Sequence, residues 1–417
     1  MAKWRVWHSA KSFCEFIVDK TILSTMKDEI EFKPLPESDA SKGGTFHKVP
    51  DHIKKILYLD AADVIIEYNS EPIVCIEETK EAGTGHNAMQ RFARIAAAAE
   101  NNVPVLYLMP EAKIISRRSA KGTNVKWDSI NPAIFLAFDS VMEIFKIPTL
   151  FFYYPSDYRS HPDPLTSPNY SDKGIRYTRD STHYPACPDD SDSEIQKMLE
   201  VIDIIIQNAI DGHPTAKLID KRAIRDRKRW QITEYSNKLN GRTKEELSPI
   251  TATVTIPTQK LLNHLATYSD AGSDNISELL SSRSNTVIYQ CDATFREDPY
   301  AGSLAAIDYL LCREGKTYED RDANLVLCFG RVNVDDDKIT VASTKCSVND
   351  FIGTVRKSGK NNLLTTDRFS KIKPKDIGRY YMQVRYGSTY SKAKHIRVFS
   401  YFADAILFKD GALWREA

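Results

Sequence analysis

The segment Ala62–Pro110, ADVIIEYNSEPIVCIEETKEAGTGHNAMQRFARIAAAAENNVPVLYLMP, does most to restrict the folds open to this chain. Val64–Tyr68 and Ile73–Ile76 are short apolar runs separated by Asn69-Ser70-Glu71-Pro72, which predicts an antiparallel hairpin. Asn87 can cap a helix reaching about Glu100, with Met89, Phe92, Ile95, Ala96 and Ala99 on one stripe. Val103–Met109 reads as a strand, Pro132–Phe145 as a second helix and Leu150–Tyr154 as a further strand. Strands and helices in this alternation imply an α/β core with some parallel pairing.

The rest of the chain is less regular. A helix is expected from about Ser9 to Thr25, carrying Phe13 and Ile17 on its apolar side, and Glu31–Lys48 reads as a loop. Pro155–Pro188, rich in Pro, Ser, Asp and Tyr, reads as a long loop or a domain boundary. Ile195–Ile210 is amphipathic and stops at Gly212, and Lys217–Lys238 is a basic helical stretch. The last third mixes a strand at Val287–Cys291, a helix near Leu304–Cys312 and a hairpin over Leu325–Ala342 turning at Asp335-Asp336-Asp337. Late strands are expected near Tyr380–Tyr386 and Ile396–Phe408. This organisation predicts three parts: residues 1–155 as a core with an N-terminal helix, 156–250 as a linking loop and helical region, and 251–417 as a mixed α/β region.

Composition narrows the function classes. Among 417 residues, 57 Lys and Arg nearly balance 56 Asp and Glu, so no global charge advertises a polyanion partner. A local basic surface remains compatible with that balance. No uncharged run is long enough to span a bilayer, so no membrane partner is expected. The opening MAKWRVWHSAKSF lacks the apolar core and cleavage site of a signal peptide. Seven scattered cysteines without a CxxC read as reduced thiols, and the cytoplasm is the expected compartment.

The chemistry sits at the ends of the predicted hairpin. On a strand, Glu78 and Lys80 point one way and Thr79 the other, and Val74 and Ile76 lead into the same face. Asp63 opens the partner strand, so pairing can bring it beside Glu78. Two neighbouring carboxylates resist joint ionisation unless a cation sits between them. Mg²⁺ suits that place, with Mn²⁺ as a substitute, because it takes oxygen ligands and is commonly held by one or two carboxylates plus phosphate oxygens. Lys80 is placed to position a water and stabilise negative charge developing on phosphorus.

Asp-x14-Glu-Thr-Lys followed by a helix and a strand resembles the PD-(D/E)xK nuclease superfamily, type II restriction endonucleases in particular, over roughly residues 50–155. The resemblance implies a restriction-endonuclease-like core, a mixed central sheet flanked by helices, joined to the C-terminal mixed α/β region. It implies that Asp63, Glu78 and Lys80 are catalytic, with Gln90 of the following helix turned to the site. Asp63, Glu78 and Thr79 are the expected metal ligands. Double-stranded DNA is the implied partner, cut at a specific sequence by a homodimer without a nucleotide cofactor; no GxxxxGK[ST] loop is present. Ala62 replaces the motif's proline, and Pro50-Asp51 lies too far upstream to be the first choice. An additional acidic residue from the first helix falls to Glu15 or Asp19, which the sequence leaves open.

Other readings compete. Glu31-Phe32-Lys33 and Asp336-Asp337-Lys338 repeat the short motif, the first running into Pro34 and the second at a hairpin tip. Glu78 and Lys80 could also be ordinary charges at a strand end. DNA contacts are expected from Thr84 and Arg91 around a helix N-terminus, from Lys221, Arg225 and Lys228, and from Arg379, Tyr381, Gln383 and Arg385 on one face of a late strand. The alternatives are a flexible loop with an Asn cap for the first set, a solvated helix face for the second, and the default polar face of a half-buried sheet for the third. The rival functions are a nuclease of repair, recombination or phage processing, and a DNA-binding or scaffold protein without catalysis.

Overall fold

The computed structural model describes residues 4–35, 49–57, 62–80, 86–120, 122–168, 178–243, 246, 250–267, 280, 282–291, 322–336, 338–342, 347 and 403–414. Six strands build the first sheet: β1 (Trp4–His8), β2 (Ile30–Pro34), β3 (Val64–Tyr68), β4 (Glu71–Glu78), β5 (Val105–Pro110) and β8 (Thr149–Tyr154), in the order β2-β1-β3-β4-β5-β8. The β1–β3 and β3–β4 pairs are antiparallel, whereas β4–β5 and β5–β8 are parallel. The chain is therefore mixed α/β, with mixed sheets flanked by helices.

Both faces of this sheet are covered, which explains why β5 and β8 are buried at every position. On one face lie α2 (Asp51–Leu57), α3 (His86–Glu100) and α4 (Ala133–Phe145), packing Ile56, Phe92 and Phe138 against Ile65, Cys75, Tyr107 and Phe151. On the other lie α1 (Lys11–Lys20) and α5 (Ser193–Ile210), packing Phe16, Ile17, Met198 and Ile202 against Val64, Ile76, Leu108 and Phe152. Alternation along β4 thus sends Cys75 and Glu77 to one layer and Ile76 and Glu78 to the other.

The expected β3–β4 hairpin forms, but its turn is tighter than the four residues read from sequence. Asn69 (φ 52°) and Ser70 (φ 67°) alone make the connection, Tyr68 pairing directly with Glu71. Positive φ at both central residues is the turn whose twist matches paired strands. Along α3, Phe92, Ile95, Ala96 and Ala99 are buried as the stripe predicted, and the helix starts at His86, ahead of the proposed cap Asn87.

Several elements differ from expectation. The first helix ends at Lys20, because Thr21 turns extended and its hydroxyl donates back to Ile17 O at 2.8 Å; a 3-10 segment, Ile22–Glu29, follows. Strand β1 went unrecognised, as did the hairpin of β6 (Ala112–Ser119) and β7 (Gly122–Ser129). The basic stretch splits into a 3-10 turn, Thr215–Asp220, and α6 (Arg222–Leu239). The Leu325–Ala342 hairpin is shorter than expected. Strand β12 (Arg331–Val334) pairs with β13 (Ile339–Ala342), while β11 (Ala323–Cys328) belongs to a second sheet. That sheet has the order β15-β14-β11-β10-β9, with β9 (Ile250–Pro257), β10 (Asn285–Cys291), β14 (Ala405–Phe408) and β15 (Gly411–Trp414). It is covered on one face by α7 (Thr258–Ala266) through Leu261 and Leu265. Its other face contributes Tyr289, Leu327 and Phe408 to the cluster that also holds α3 and α4. The expected helix near 304–312 and the strand near 380–386 lie outside the described residues. Among the described residues, no helix is long and apolar enough to cross a membrane.

Candidate functional site

Strand β3 begins where β4 ends, so the hairpin closes Asp63 onto Glu78. The Glu78 main-chain N–H donates to Asp63 Oδ2 at 2.7 Å. Ser9, at the corner between β1 and α1, fixes the same residue: its hydroxyl donates to Asp63 Oδ1 at 3.3 Å and to Ala62 O at 2.8 Å, and its N–H donates to Asp63 O at 3.0 Å. The aspartate is held from two neighbouring strands before any ligand is considered.

Glu78 is the unusual member. Burial, and next the Asp63 charge, push its carboxyl up to about 8, against the pull of Lys80 and Arg91 and with Asp180 adding to the rise. Its Oε1 is buried and has no hydrogen-bond partner. A buried carboxyl oxygen without a donor is costly unless something else completes it. A divalent cation is such a group, and the donor set fits one: two carboxylates delivered side by side, with oxygen the only ligand type. Among the described residues, no group of three or more His, Cys, Asp or Glu is arranged to hold a metal ion. Any cation bound here would therefore depend on water or substrate oxygens for its remaining ligands, which is the habit of Mg²⁺ rather than of structural zinc.

Lys80 emerges on the Glu78 face. Its Nζ lies 3.2 Å from Asp180 Oδ2 and 5.7 Å from the Tyr154 ring centroid. The Tyr154 hydroxyl donates to the other oxygen, Asp180 Oδ1, at 2.7 Å. Asp180 comes from the stretch expected to be a long loop or a domain boundary. It is anchored there by bridges pairing Ser156 with Thr178 and Asp180 with Pro188, and by Ser181 N–H donating to Cys187 O at 2.8 Å. Cys187 is fully buried, and burial pushes its thiol up to about 12, so it is an inert neighbour rather than a nucleophile. Nothing in the sequence around Asp180 distinguished it from other loop acids. The only available signal was Tyr154, whose position on β8 two residues past Phe152 required a polar partner for a buried hydroxyl.

The remaining expected residues separate into groups. Thr79 is buried and its N–H donates to Leu108 O at 2.9 Å, prolonging the β4–β5 ladder. Arg91 Nε lies 3.8 Å from Glu77 Oε2, the buried carboxylate that Arg94 Nη2 also contacts, and its charge acts on Glu78 as well. Lys228 is likewise taken up, by Glu143 and by Asp139 at 3.8 Å on α4, so it is a helix–helix contact and not an open cation. Lys221 and Arg225 are exposed. Asp19 accepts from the Tyr184 hydroxyl at 2.9 Å and pairs with Lys27 at 2.5 Å. Glu15 is paired with Lys11 at 3.6 Å, and its charge is felt at Cys187 beside the site. The side chain of Gln90, and Thr84, Arg379, Tyr381, Gln383 and Arg385, lie outside the described residues.

A second polar cluster sits on the other face of the same sheet edge. Arg159 Nε and Lys238 Nζ each lie 2.6 Å from Glu111, and the Tyr153 hydroxyl donates to Glu234 at 2.7 Å. These groups satisfy one another and tie α6 to β8. Comparison with protein-family models, with curated proteins and with solved structures gave no match to this chain.

Proposed function

We propose that this protein is a Mg²⁺-dependent DNA endonuclease with a restriction-endonuclease-like core. The observation that carries the reading is the pairing of Asp63 with Glu78, whose buried Oε1 has no partner, at the mouth of a hairpin that also delivers Lys80. The helix–strand continuation through α3 and β5, with β5 parallel to β4, is the context in which the motif resembles the PD-(D/E)xK superfamily.

In this reading Asp63 and Glu78 hold the cation. When bound, it supplies Lewis-acid polarisation of a phosphoryl group and lowers the pKa of a water. The chain's own residues do the rest. Ser9 and the Glu78 N–H fix the Asp63 carboxylate, sparing it the cost of ordering when the ligand arrives. Lys80 Nζ orients the attacking water and faces the charge that develops on the phosphate. Asp180 and Tyr154 set where that ammonium sits. Exposed Lys221 and Arg225 serve as phosphate contacts for double-stranded DNA. Site-specific cleavage, a homodimer cutting both strands and a cytoplasmic location follow from the same resemblance. They belong to the proposal.

The test is incubation of the purified chain with a phage genome in Mg²⁺ and in EDTA, beside Lys80→Ala. Discrete fragments that require both Mg²⁺ and Lys80 support a site-specific nuclease. A Mg²⁺-dependent smear keeps the chemistry and moves the role to non-specific processing. DNA left intact in Mg²⁺ and in Mn²⁺ overturns the reading and leaves a binding protein.

A further inference from the structure

The crossing of α5 and α6 over β8 leaves a solvent-open cavity of about 590 Å³, within the range of small-molecule sites. Phe152, Val201, Ile204 and Trp230 give it an apolar wall. Lys197, Lys221, Arg222 and Arg227 bring four cations to the lining, against two acids, Glu200 and Asp226. Asp226 is already shared between Arg222 at 3.6 Å and Arg229 at 3.5 Å.

Arg227 is the residue that asks for a ligand. It is only 4% exposed, a rare condition for a guanidinium. Its Nε donates to Phe151 O at 2.6 Å and its Nη1 lies 2.7 Å from Glu194 Oε2. The guanidinium carbon stands 3.5 Å from the Trp230 centroid and 4.2 Å from that of Phe152. Nη2 has no hydrogen-bond partner. The start of α6 adds a second demand. Its cap residue Lys221 makes no side-chain hydrogen bond to the first turn, and Arg222 and Ala223 of that turn line the same cavity. Uncapped N–H groups at the positive end of a helix dipole favour an anion, and phosphate above all. Glu200, which lines the same cavity, is an exposed acceptor suited to hydroxyl donors.

We propose that the α5–α6 cavity binds a phosphate monoester carried on a flat, hydroxyl-bearing, partly apolar body, in chemical class a mononucleotide. The phosphate belongs with Arg227 Nη2, Arg222 and the α6 N-terminus, with Lys197, which also pairs with Glu194 at 2.9 Å, at the rim; the hydroxyl groups belong with Glu200 and the ring with the Phe152–Trp230 wall. This site is separate from the carboxylate–lysine site, although both use one face of β8, Phe152 here and Tyr154 there. It does not rest on the nuclease reading.

The test is calorimetric titration of the whole chain in EDTA with adenosine 5′-monophosphate, adenosine and inorganic phosphate. Saturable binding of the monophosphate is expected, with the other two probes weaker by at least about tenfold. Arg222→Glu and Lys197→Glu, both at exposed rim positions, should each weaken it by at least about tenfold, and Lys80→Ala should leave it unchanged. The proposal is overturned by absence of saturation at about 10 mM monophosphate. It is equally overturned by indifference to both rim substitutions, by phosphate alone binding as tightly, or by loss of binding in Lys80→Ala.

Discussion

Asp180 lies a hundred residues beyond Lys80 in the chain, and its Oδ2 stands 3.2 Å from the Lys80 ammonium. The contact ties a loop to the end of a central strand, and the Tyr154 hydroxyl holds the same carboxylate from β8. Lys80 is only a third exposed, so the pair is neither a solvated surface bridge nor a fully buried one. Asp180→Asn keeps the Tyr154 acceptor and removes the charge that anchors Lys80. In the proposed nuclease this substitution should lower the cleavage rate by about 10- to 100-fold, the usual scale for outer partners of a metal site, while Mg²⁺ affinity changes little. Rates and Mg²⁺ titrations on the same preparation decide it. An unchanged rate would remove Asp180 from any role in placing Lys80.

Glu78 makes stability depend on pH with a definite sign. Its carboxyl is raised from 4.5 to about 8 in the folded chain, so the folded state holds a proton that the unfolded state gives up. The associated stability is fully present below about pH 4.5 and is lost as pH rises through about 8. Glu78→Gln cannot ionise. In EDTA it should therefore melt at a higher temperature than the parent at pH 8.5 and nearly the same at pH 4.5, as thermal denaturation at about these two pH values would show. Mg²⁺ should stabilise the parent at the higher pH and leave Glu78→Gln almost unmoved. Equal melting of the two chains at the higher pH would contradict the raised carboxyl.

The opposite face of β4 carries a charge cluster with a different purpose. Glu77 is fully buried and meets the guanidinium of Arg94, itself 5% exposed, with Arg91 nearby. Removing one member of a buried pair strands the other charge, at a cost of about 3–5 kcal/mol. Arg94→Met should therefore lower the urea midpoint sharply. Lys146→Met, whose pair with Glu143 is more than half exposed on both sides, should be close to neutral.

The candidate site was half legible in the sequence, and the division has a physical cause. Asp63, Glu78 and Lys80 lie within one hairpin, where period-two alternation and a short turn fix which side chains meet. Ser9 and Asp180 reach the same place from sequence-distant segments. One arrives through the β1–β3 pairing and the other through a loop bridged back to Ser156. Short-range periodicity carries no information about such contacts. The six-stranded order shows the same limit. The runs that became β5 and β8 were visible as buried strands, whereas β1, beginning at Trp4 and half interrupted by Arg5, showed too little pattern to be read. The carboxylate partners of Arg91 and Lys228 were not legible because a cation on a helix looks the same in sequence whether it faces solvent or a carboxylate on a neighbouring element.

The hairpin turn offers a test that is independent of function. Asn69 and Ser70 both take positive φ, which asparagine tolerates and serine adopts at a cost. Ser70→Gly would create the Asn-Gly pair that this turn favours most and should stabilise the chain by about 0.5–1 kcal/mol. Ser70→Val should destabilise it by more than that, because a β-branched side chain is the least compatible with the left-handed region. Chemical denaturation of the two variants separates these outcomes, and stabilisation by valine would show that the turn is not formed this way.

The proposed DNA binding, finally, can be separated from helix packing on α6. Arg225 is exposed, while Lys228 is held by Glu143 and Asp139 across the α4–α6 interface. A phosphate contact releases counterions, so its loss flattens the dependence of log affinity on log salt by about one unit. Arg225→Ala should show that flattening in binding isotherms taken across a salt series, with the melting temperature unchanged. Lys228→Ala should do the reverse, lowering stability by up to about 1 kcal/mol while leaving the salt slope intact. If both substitutions leave the slope untouched, the basic face of α6 does not meet a DNA backbone.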